Sequence, residues 1–239
     1  MERAVYRTAG GMPVTAVTAD EMREVDRVAT EEVGLGLLQM MENAGRNLAS
    51  AVRATGADGA VVLAGDGGNG GGGLACARHL ANRDVAVEVV LDRPPAALDG
   101  AAARQHRVVD AMGVPVREGP AGPPETDAVV DAVIGYGLSG AVRGIARDLV
   151  EACGGTDARV VSLDVPSGLD ATTGESTGPV VDPAEVITLA LPKTGLRGVD
   201  CPVTLADIGI PRTVYRRLDV PYDPPFDDAY LVPLERTGE

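Results

Sequence analysis

Two aspartates stand where a carboxylate is expensive. Asp131 follows Ala128-Val129-Val130, and Asp164 follows Val160-Val161-Ser162-Leu163, so each lies at the end of a run of strand-forming apolar residues. A charge buried there is costly unless a cation or hydrogen-bond donors compensate it, so each carboxylate needs a partner. Capping a neighbouring helix start is one ordinary way of finding one. Asn69, in a glycine-rich loop, and Ser167, in Pro166-Ser167-Gly168, offer further hard oxygens. Together the four side chains make a donor set suited to a potassium, sodium or magnesium ion.

The loop around Asn69 has its own chemistry. Val61-Val62-Leu63-Ala64 runs into a stretch with glycine at 65, 67, 68, 70, 71, 72 and 73, and Leu74 to Asn82 then reads as a helix. Strand, glycine turn and helix start in this order leave backbone amides bare, which is how a fold cradles phosphate; Gly65, Gly67 and Gly70 also fit the GxGxxG spacing. A flexible linker is the competing reading, but linkers are polar on both sides and this one is flanked by core-like segments.

The remaining elements must bring these residues together. Thr18-Ala19-Asp20-Glu21 has the form of a capping box, predicting a helix over about 20–32, and a second is predicted over 37–54. Strands are predicted over 61–64, 85–91, 114–116, 128–134, 160–165, 186–191 and 203–206, with helices over 98–112, 145–153 and 213–218 between them. Strands alternating with helices predict an α/β fold: a three-layer Rossmann-like arrangement with a mostly parallel central sheet and an N-terminal helical extension. Residues 1–239 read as a single domain, with a core over about 15–218 and a Pro-rich tail over 219–239 that holds an edge strand. In an open parallel sheet the carboxyl ends of the strands share one edge, so the loops bearing Asn69, Asp131, Asp164 and Ser167 should line one cleft.

Composition narrows the partners. A net charge of −14, one Phe and no Trp disfavour nucleic acid. No apolar run is long enough to span a bilayer and the N-terminus lacks a secretory pattern, so a cytoplasmic protein without a membrane partner is expected. Cys76, Cys153 and Cys201 are widely spaced and read as small buried hydrophobes. His79 and His106 fall in helices and read as structural or solvent-facing. Lys193, the sole lysine, reads either as a group for a ligand phosphate or another part of the ligand, or as a surface residue.

Six ordered segments carry a resemblance: Met41-Glu42-Asn43-Ala44-Gly45; Gly71-Gly72-Gly73-Leu74 with Ala77-Arg78-His79-Leu80; residues 131–140; residues 162–170; Leu191-Pro192-Lys193-Thr194-Gly195-Leu196; and Ala206-Asp207-Ile208-Gly209-Ile210-Pro211. In order and spacing, from about Thr15 to Leu218, the chain resembles the NAD(P)H-hydrate epimerases, the stand-alone form of the YjeF N-terminal domain. The resemblance implies epimerisation of the R form of hydrated NADH or NADPH to the S form, with a separate ATP- or ADP-dependent dehydratase acting next, and a homodimer. It implies Asn69, Asp131 and Ser167 as potassium ligands. Gly68, Asn69, Gly70, Gly71, Gly72, Gly135, Tyr136, Gly137, Leu138, Ser139, Gly140, Ala141 and Asp164 match its substrate-binding positions. Asp164 is the candidate catalytic residue, able to protonate a departing hydroxyl and deprotonate the incoming water. Relatives usually carry Asn and Asp where this chain has Gly68 and Gly72.

Two other classes remain open from the sequence. Asp92 lies 22 residues after Gly70 at the end of a strand, where an NAD-dependent oxidoreductase would hold a ribose hydroxyl, although no hydride-transfer set accompanies it. A non-catalytic nucleotide-binding or dimerisation module fits the substituted loop but not the retained Asp131, Asp164 and Ser167.

Overall fold

The computed structural model describes residues 5–120 and 125–237. Among the described residues ten strands form one sheet, in the order β2-β1-β10-β9-β8-β7-β6-β3-β4-β5: β1 Val5–Thr8, β2 Pro13–Thr15, β3 Gly59–Ala64, β4 Ala86–Leu91, β5 Val116–Glu118, β6 Ala128–Ala132, β7 Arg159–Leu163, β8 Glu185–Leu189, β9 Val203–Ala206 and β10 Leu231–Arg236. The seven strands from β9 to β5 are parallel, and β10, β1 and β2 add antiparallel pairing at one edge. From β3 the chain winds outward through β4 and β5, then returns to the other side of β3 as β6. That reversal opens a crevice at the carboxyl ends of β3 and β6, the place where ligands bind in doubly wound sheets.

The parallel strands read as continuous apolar runs because both faces are covered. In β3, Ala60, Val62 and Ala64 pack under α2 (Leu37–Ala54), α3 (Gly68–Ala81) and α4 (Gly100–Ala111), while Val61 and Leu63 pack on the opposite face with Leu149, Val150 and Cys153 of α5 (Gly144–Cys153). The same alternation in β6 sends Val130 and Ala132 to the α3 side and leaves Asp131 on the α5 side with Val129. Register pairs Asp131 with Ser162 of β7, so two polar residues meet inside an otherwise apolar face.

The capping box forms as expected: Glu21 N donates to Thr18 Oγ1 at 3.2 Å, and Thr18 N to Glu21 Oε2 at 2.9 Å, opening α1 (Ala19–Arg27). A π-turn over Val28–Glu32 follows it. The short helix α6 spans Arg212–Arg217. Two features depart from the sequence reading. The chain enters through the β1–β2 hairpin, which shows no long alternation to detect. The tail contributes the expected strand, but β10 lies between β9 and β1 rather than at the sheet edge, because the hairpin covers its outer side.

The larger departure is α3, which starts at Gly68 rather than at Leu74. Four successive helical glycines cost about 1 kcal/mol each relative to Ala. Packing requires them all the same. A Cβ at Gly70 would stand 1.7 Å from Gly65 O, one at Gly71 2.5 Å from Met41 Sδ, one at Gly72 2.8 Å from Leu163 Cδ2 and one at Gly73 2.6 Å from Ala132 Cβ. Gly45 on α2 is equally tight, 2.5 Å from Ala75 Cβ. The glycines thus let α3 lie directly on the sheet and on α2.

Candidate functional site

Three loops meet at the crevice: the β3–α3 turn, the segment after β6, and the segment after β7. The crevice encloses about 930 Å³, lined by Gly67, Gly68 and Asn69, by residues 133–139 and 141–146, by Asp66, Asp92 and Arg93, and by Asp26, Asp164 and Lys193 among others. Gly67 and Gly68 leave open space where a side chain would stand. The first intrahelical bond of α3 runs from Gly71 N to Gly67 O at 3.0 Å. The amides of Gly68, Asn69 and Gly70 therefore precede the helical ladder, a donor set suited to phosphate. Among the substrate-binding positions implied by resemblance, Gly68, Asn69, Gly135, Tyr136, Gly137, Leu138, Ser139, Ala141 and Asp164 line this crevice. Gly70, Gly71 and Gly72 lie buried within α3, and Gly140, with φ of 76°, sits outside the lining.

Asp164 is placed by a strained backbone. It follows β7 directly with φ of 70°, a left-handed conformation that Asp tolerates better than most residues, and Ala190 after β8 has φ of 61°. These two turns bring Asp164 against the Leu189–Lys193 segment. Oδ1 accepts from Lys193 Nζ and, at 3.3 Å, from Leu189 N; Oδ2 accepts from Tyr136 N at 3.1 Å. Lys193 Nζ also donates to Leu189 O at 2.9 Å and lies 5.7 Å from the centre of the Tyr136 ring. The Lys193 side chain is 1% exposed and that of Asp164 3%. The surface alternative for Lys193 is therefore corrected: it forms a buried ion pair with Asp164 on the crevice wall.

Asp131 lies behind that wall, fully buried. Its Oδ1 accepts from Ser167 Oγ at 2.5 Å, and its Oδ2 from Ser162 Oγ at 2.7 Å and Ser167 N at 2.9 Å. Ser167 Oγ in turn accepts from Ile134 N at 2.9 Å, which ties the crevice loop to the pair. Burial pushes the Asp131 carboxyl above the usual carboxylate range, against the pull of these Ser167 and Ser162 hydrogen bonds. No cationic side chain bonds to it among the described residues. Asn69 Nδ2 donates to Leu163 O at 3.1 Å, and its Oδ1 lies 3.0 Å from where a Gly135 Cβ would be. A buried carboxylate bonded only by neutral donors, with the Ser167 hydroxyl against it, has the hard oxygen chemistry that would suit an alkali or alkaline-earth cation, while the Asn69 amide oxygen lies toward Gly135 and Asp164. It does not fit a transition-metal centre, and among the described residues no three His, Cys, Asp or Glu side chains cluster for one.

Sequence reasoning did not single out Asp26 of α1. Its carboxylate accepts from the Tyr136 hydroxyl and lines the crevice. The amphipathic pattern of α1 gave no signal for this, because an acidic residue on a helix looks solvent-facing. Asp92 and Arg93 close the far end: Arg93 bonds Asp92 at 2.9 Å and Asp66 at 2.7 Å. His79 pairs with Glu42 at 2.8 Å on the outer side of α3, away from the crevice, as a structural residue would.

A parallel α/β sheet with a glycine-opened helix and a buried carboxylate–lysine pair at its switch point defines a nucleotide-type ligand-binding protein of the Rossmann-like class. Residues 37–195 match the family described as YjeF-related protein N-terminus. The chain is 43% identical over 240 residues to the NAD(P)H-hydrate epimerase of Dehalogenimonas lykanthroporepellens, covering 96% of each chain. It is 36% identical over 226 residues to the bifunctional NAD(P)H-hydrate repair enzyme of Salinibacter ruber, covering 84% of this chain and 42% of that one. It is also similar in structure to the yeast protein ynu0, with a TM-score of 0.78 and 25% identity over 94% of this chain and 100% of that chain. The chain belongs to the YjeF N-terminal family.

Proposed function

We infer that this chain is an NAD(P)H-hydrate epimerase, an isomerase that interconverts the R and S forms of hydrated NADH and NADPH. The observation that carries the reading is the meeting of Asp164, paired to Lys193, with the open start of α3 in one crevice; the likeness to curated epimerases supplies the substrate class. The amides of α3 and the 135–141 loop would hold the phosphates and sugars.

The chemistry needs no redox step. In the hydrate, the hydroxyl sits on a carbon bonded to the ring nitrogen. The nitrogen lone pair expels it, leaving an iminium cation, and water adds from the other face. Asp164 protonates the departing oxygen or takes the proton of the incoming water, and its negative charge stabilises the cation between these events. Lys193 holds the carboxylate in place by donating to both Oδ1 and Leu189 O.

Asn69, Asp131 and Ser167 would hold a potassium ion. When bound, it would supply the positive charge that the buried Asp131 carboxylate lacks and stiffen the three loops. The same family likeness supports a homodimer at work in the cytoplasm, with a dehydratase consuming the product; relatives named as bifunctional repair enzymes are long enough to hold a second activity, since this chain spans 35% to 42% of their lengths.

The test is to incubate R-hydrated NADH with the protein in potassium buffer and follow both epimers by chromatography. Acceleration over the spontaneous rate is expected, and Asp164→Asn, which keeps the left-handed backbone accessible, should abolish it while cofactor binding persists. Unchanged epimer kinetics together with measurable cofactor binding would favour the non-catalytic module instead.

A further inference from the structure

An epimerase that works by dehydration and rehydration has a proton problem on two faces. The C–O bond breaks on one face, and the departing oxygen takes a proton to leave as water. Water then attacks the opposite face and must lose a proton there. One carboxylate can serve both events only if the cation turns over within the site.

We propose that Asp26, acting through the hydroxyl of Tyr136, is the second proton-handling group of this crevice, serving the face of the nicotinamide ring opposite Asp164. The inference rests on the epimerase reading.

Its observations are independent of that reading. Tyr136 leaves the sheet edge immediately after Gly135; its amide donates to Asp164 Oδ2 at 3.1 Å while its hydroxyl reaches across to Asp26 on α1. The length of one tyrosine side chain therefore separates two carboxylates that both line the crevice, one paired with Lys193 and one held by a phenol. The two differ in charge setting. Asp164 has a buried ammonium as its partner, whereas Asp26 has no cation within bonding distance among the described residues. Burial raises the Asp26 carboxyl above its ordinary range, against the Tyr136 hydrogen bond and the Lys193 charge, which pull it down. A carboxyl in this setting is suited to hold a proton and pass it through the Tyr136 oxygen, while Asp164 is suited to receive one.

The bookkeeping closes. In the R-to-S direction a proton moves from Asp26 through Tyr136 to the departing hydroxyl, water adds on the other face, and its proton passes to Asp164. The net result transfers one proton from the first carboxyl to the second, and exchange with solvent after product release resets both. The reverse direction exchanges the roles.

The test uses the full chain and the epimer assay, with wild type, Tyr136→Phe, Asp26→Asn and the double variant compared at several substrate concentrations. Tyr136→Phe removes one oxygen and keeps the ring beside Lys193; it also takes a hydrogen bond from Asp26, so a loss of stability, read as a lower melting temperature, is expected and kcat is compared at a temperature where both proteins are folded. We expect kcat to fall about 100-fold with KM nearly unchanged, as for loss of a general acid–base group. Asp26→Asn should lose a similar factor, and the double variant no more than the worse single, because the two act as one relay. Should Asp26→Asn fail to fold, Tyr136→Phe decides alone. An active wild type whose Tyr136→Phe keeps kcat within threefold overturns this inference and leaves the epimerase reading standing, as does a double variant whose losses multiply. A wild type that accelerates nothing overturns both.

Discussion

Replacing Lys193 with Met removes an ammonium but keeps most of its buried volume, so the effect isolates the charge. Asp164 would retain donors at Tyr136 N, 3.1 Å away, and at Leu189 N, 3.3 Å away, with its side chain 3% exposed. Two neutral amides at these distances do not offset the desolvation of a carboxylate, and removing one partner of a buried pair typically costs about 3–5 kcal/mol. For a chain of this size each kcal/mol lowers the melting temperature by about 2–4 °C, so a fall of about 6–20 °C is expected. The second half of the experiment tests the cause. In Lys193→Met/Asp164→Asn neither charge of the pair remains, Asn still adopts the left-handed backbone, and only the Lys193 bond to Leu189 O, about 1 kcal/mol, stays lost. The double variant should therefore recover most of the stability lost by the single. Circular dichroism melts at low and high salt provide the readout, with little salt dependence expected for so enclosed a pair. A single variant melting within about 2 °C of wild type, or a double variant no more stable than the single, would refute the argument that charge compensation holds this wall of the crevice.

Gly70→Ala should prevent proper formation of the start of α3, since its Cβ would sit 1.7 Å from Gly65 O, whereas Gly68→Ala, with nothing within 4 Å, should be within about 0.5 kcal/mol of wild type by denaturant unfolding. Potassium should raise the melting temperature relative to a bulky organic cation, by about 2.7 kcal/mol of stability at a hundred times its dissociation constant, and Asp131→Ala should erase that difference. For Asp26, burial raises the folded-state pKa above the ordinary 3.8, so its contribution is complete below that value and is lost as pH rises through the raised one. The stability of wild type relative to Asp26→Asn should accordingly decline from about pH 4 upward; a flat or rising difference in pH-resolved melts would contradict the assignment.

How much of this was legible beforehand differs from element to element. The helix over 37–54 and the strand over 203–206 matched to the residue, because periodicity and flanking breakers act locally. Gly68 to Gly73 misled, since four helix-weakening residues in a row read as a loop when propensity is the only guide. The close approach of Met41, Leu163 and Ala132 outweighs that cost and draws the helix back to Gly68. Asp26 was invisible for a similar reason: nothing along α1 signals that Tyr136, 110 residues later, will bond to it.

The sequence alone determined the order of the central strands and helices, the glycine-opened turn and the placing of Asp131 and Asp164 at strand ends, since each follows from the backbone preferences and solvation of neighbouring residues. Tertiary structure decided which groups meet. It buried Lys193 against Asp164, locked Ser167 onto Asp131 and stretched Tyr136 to Asp26, because burial and close packing arise only when segments distant along the chain share one sheet edge.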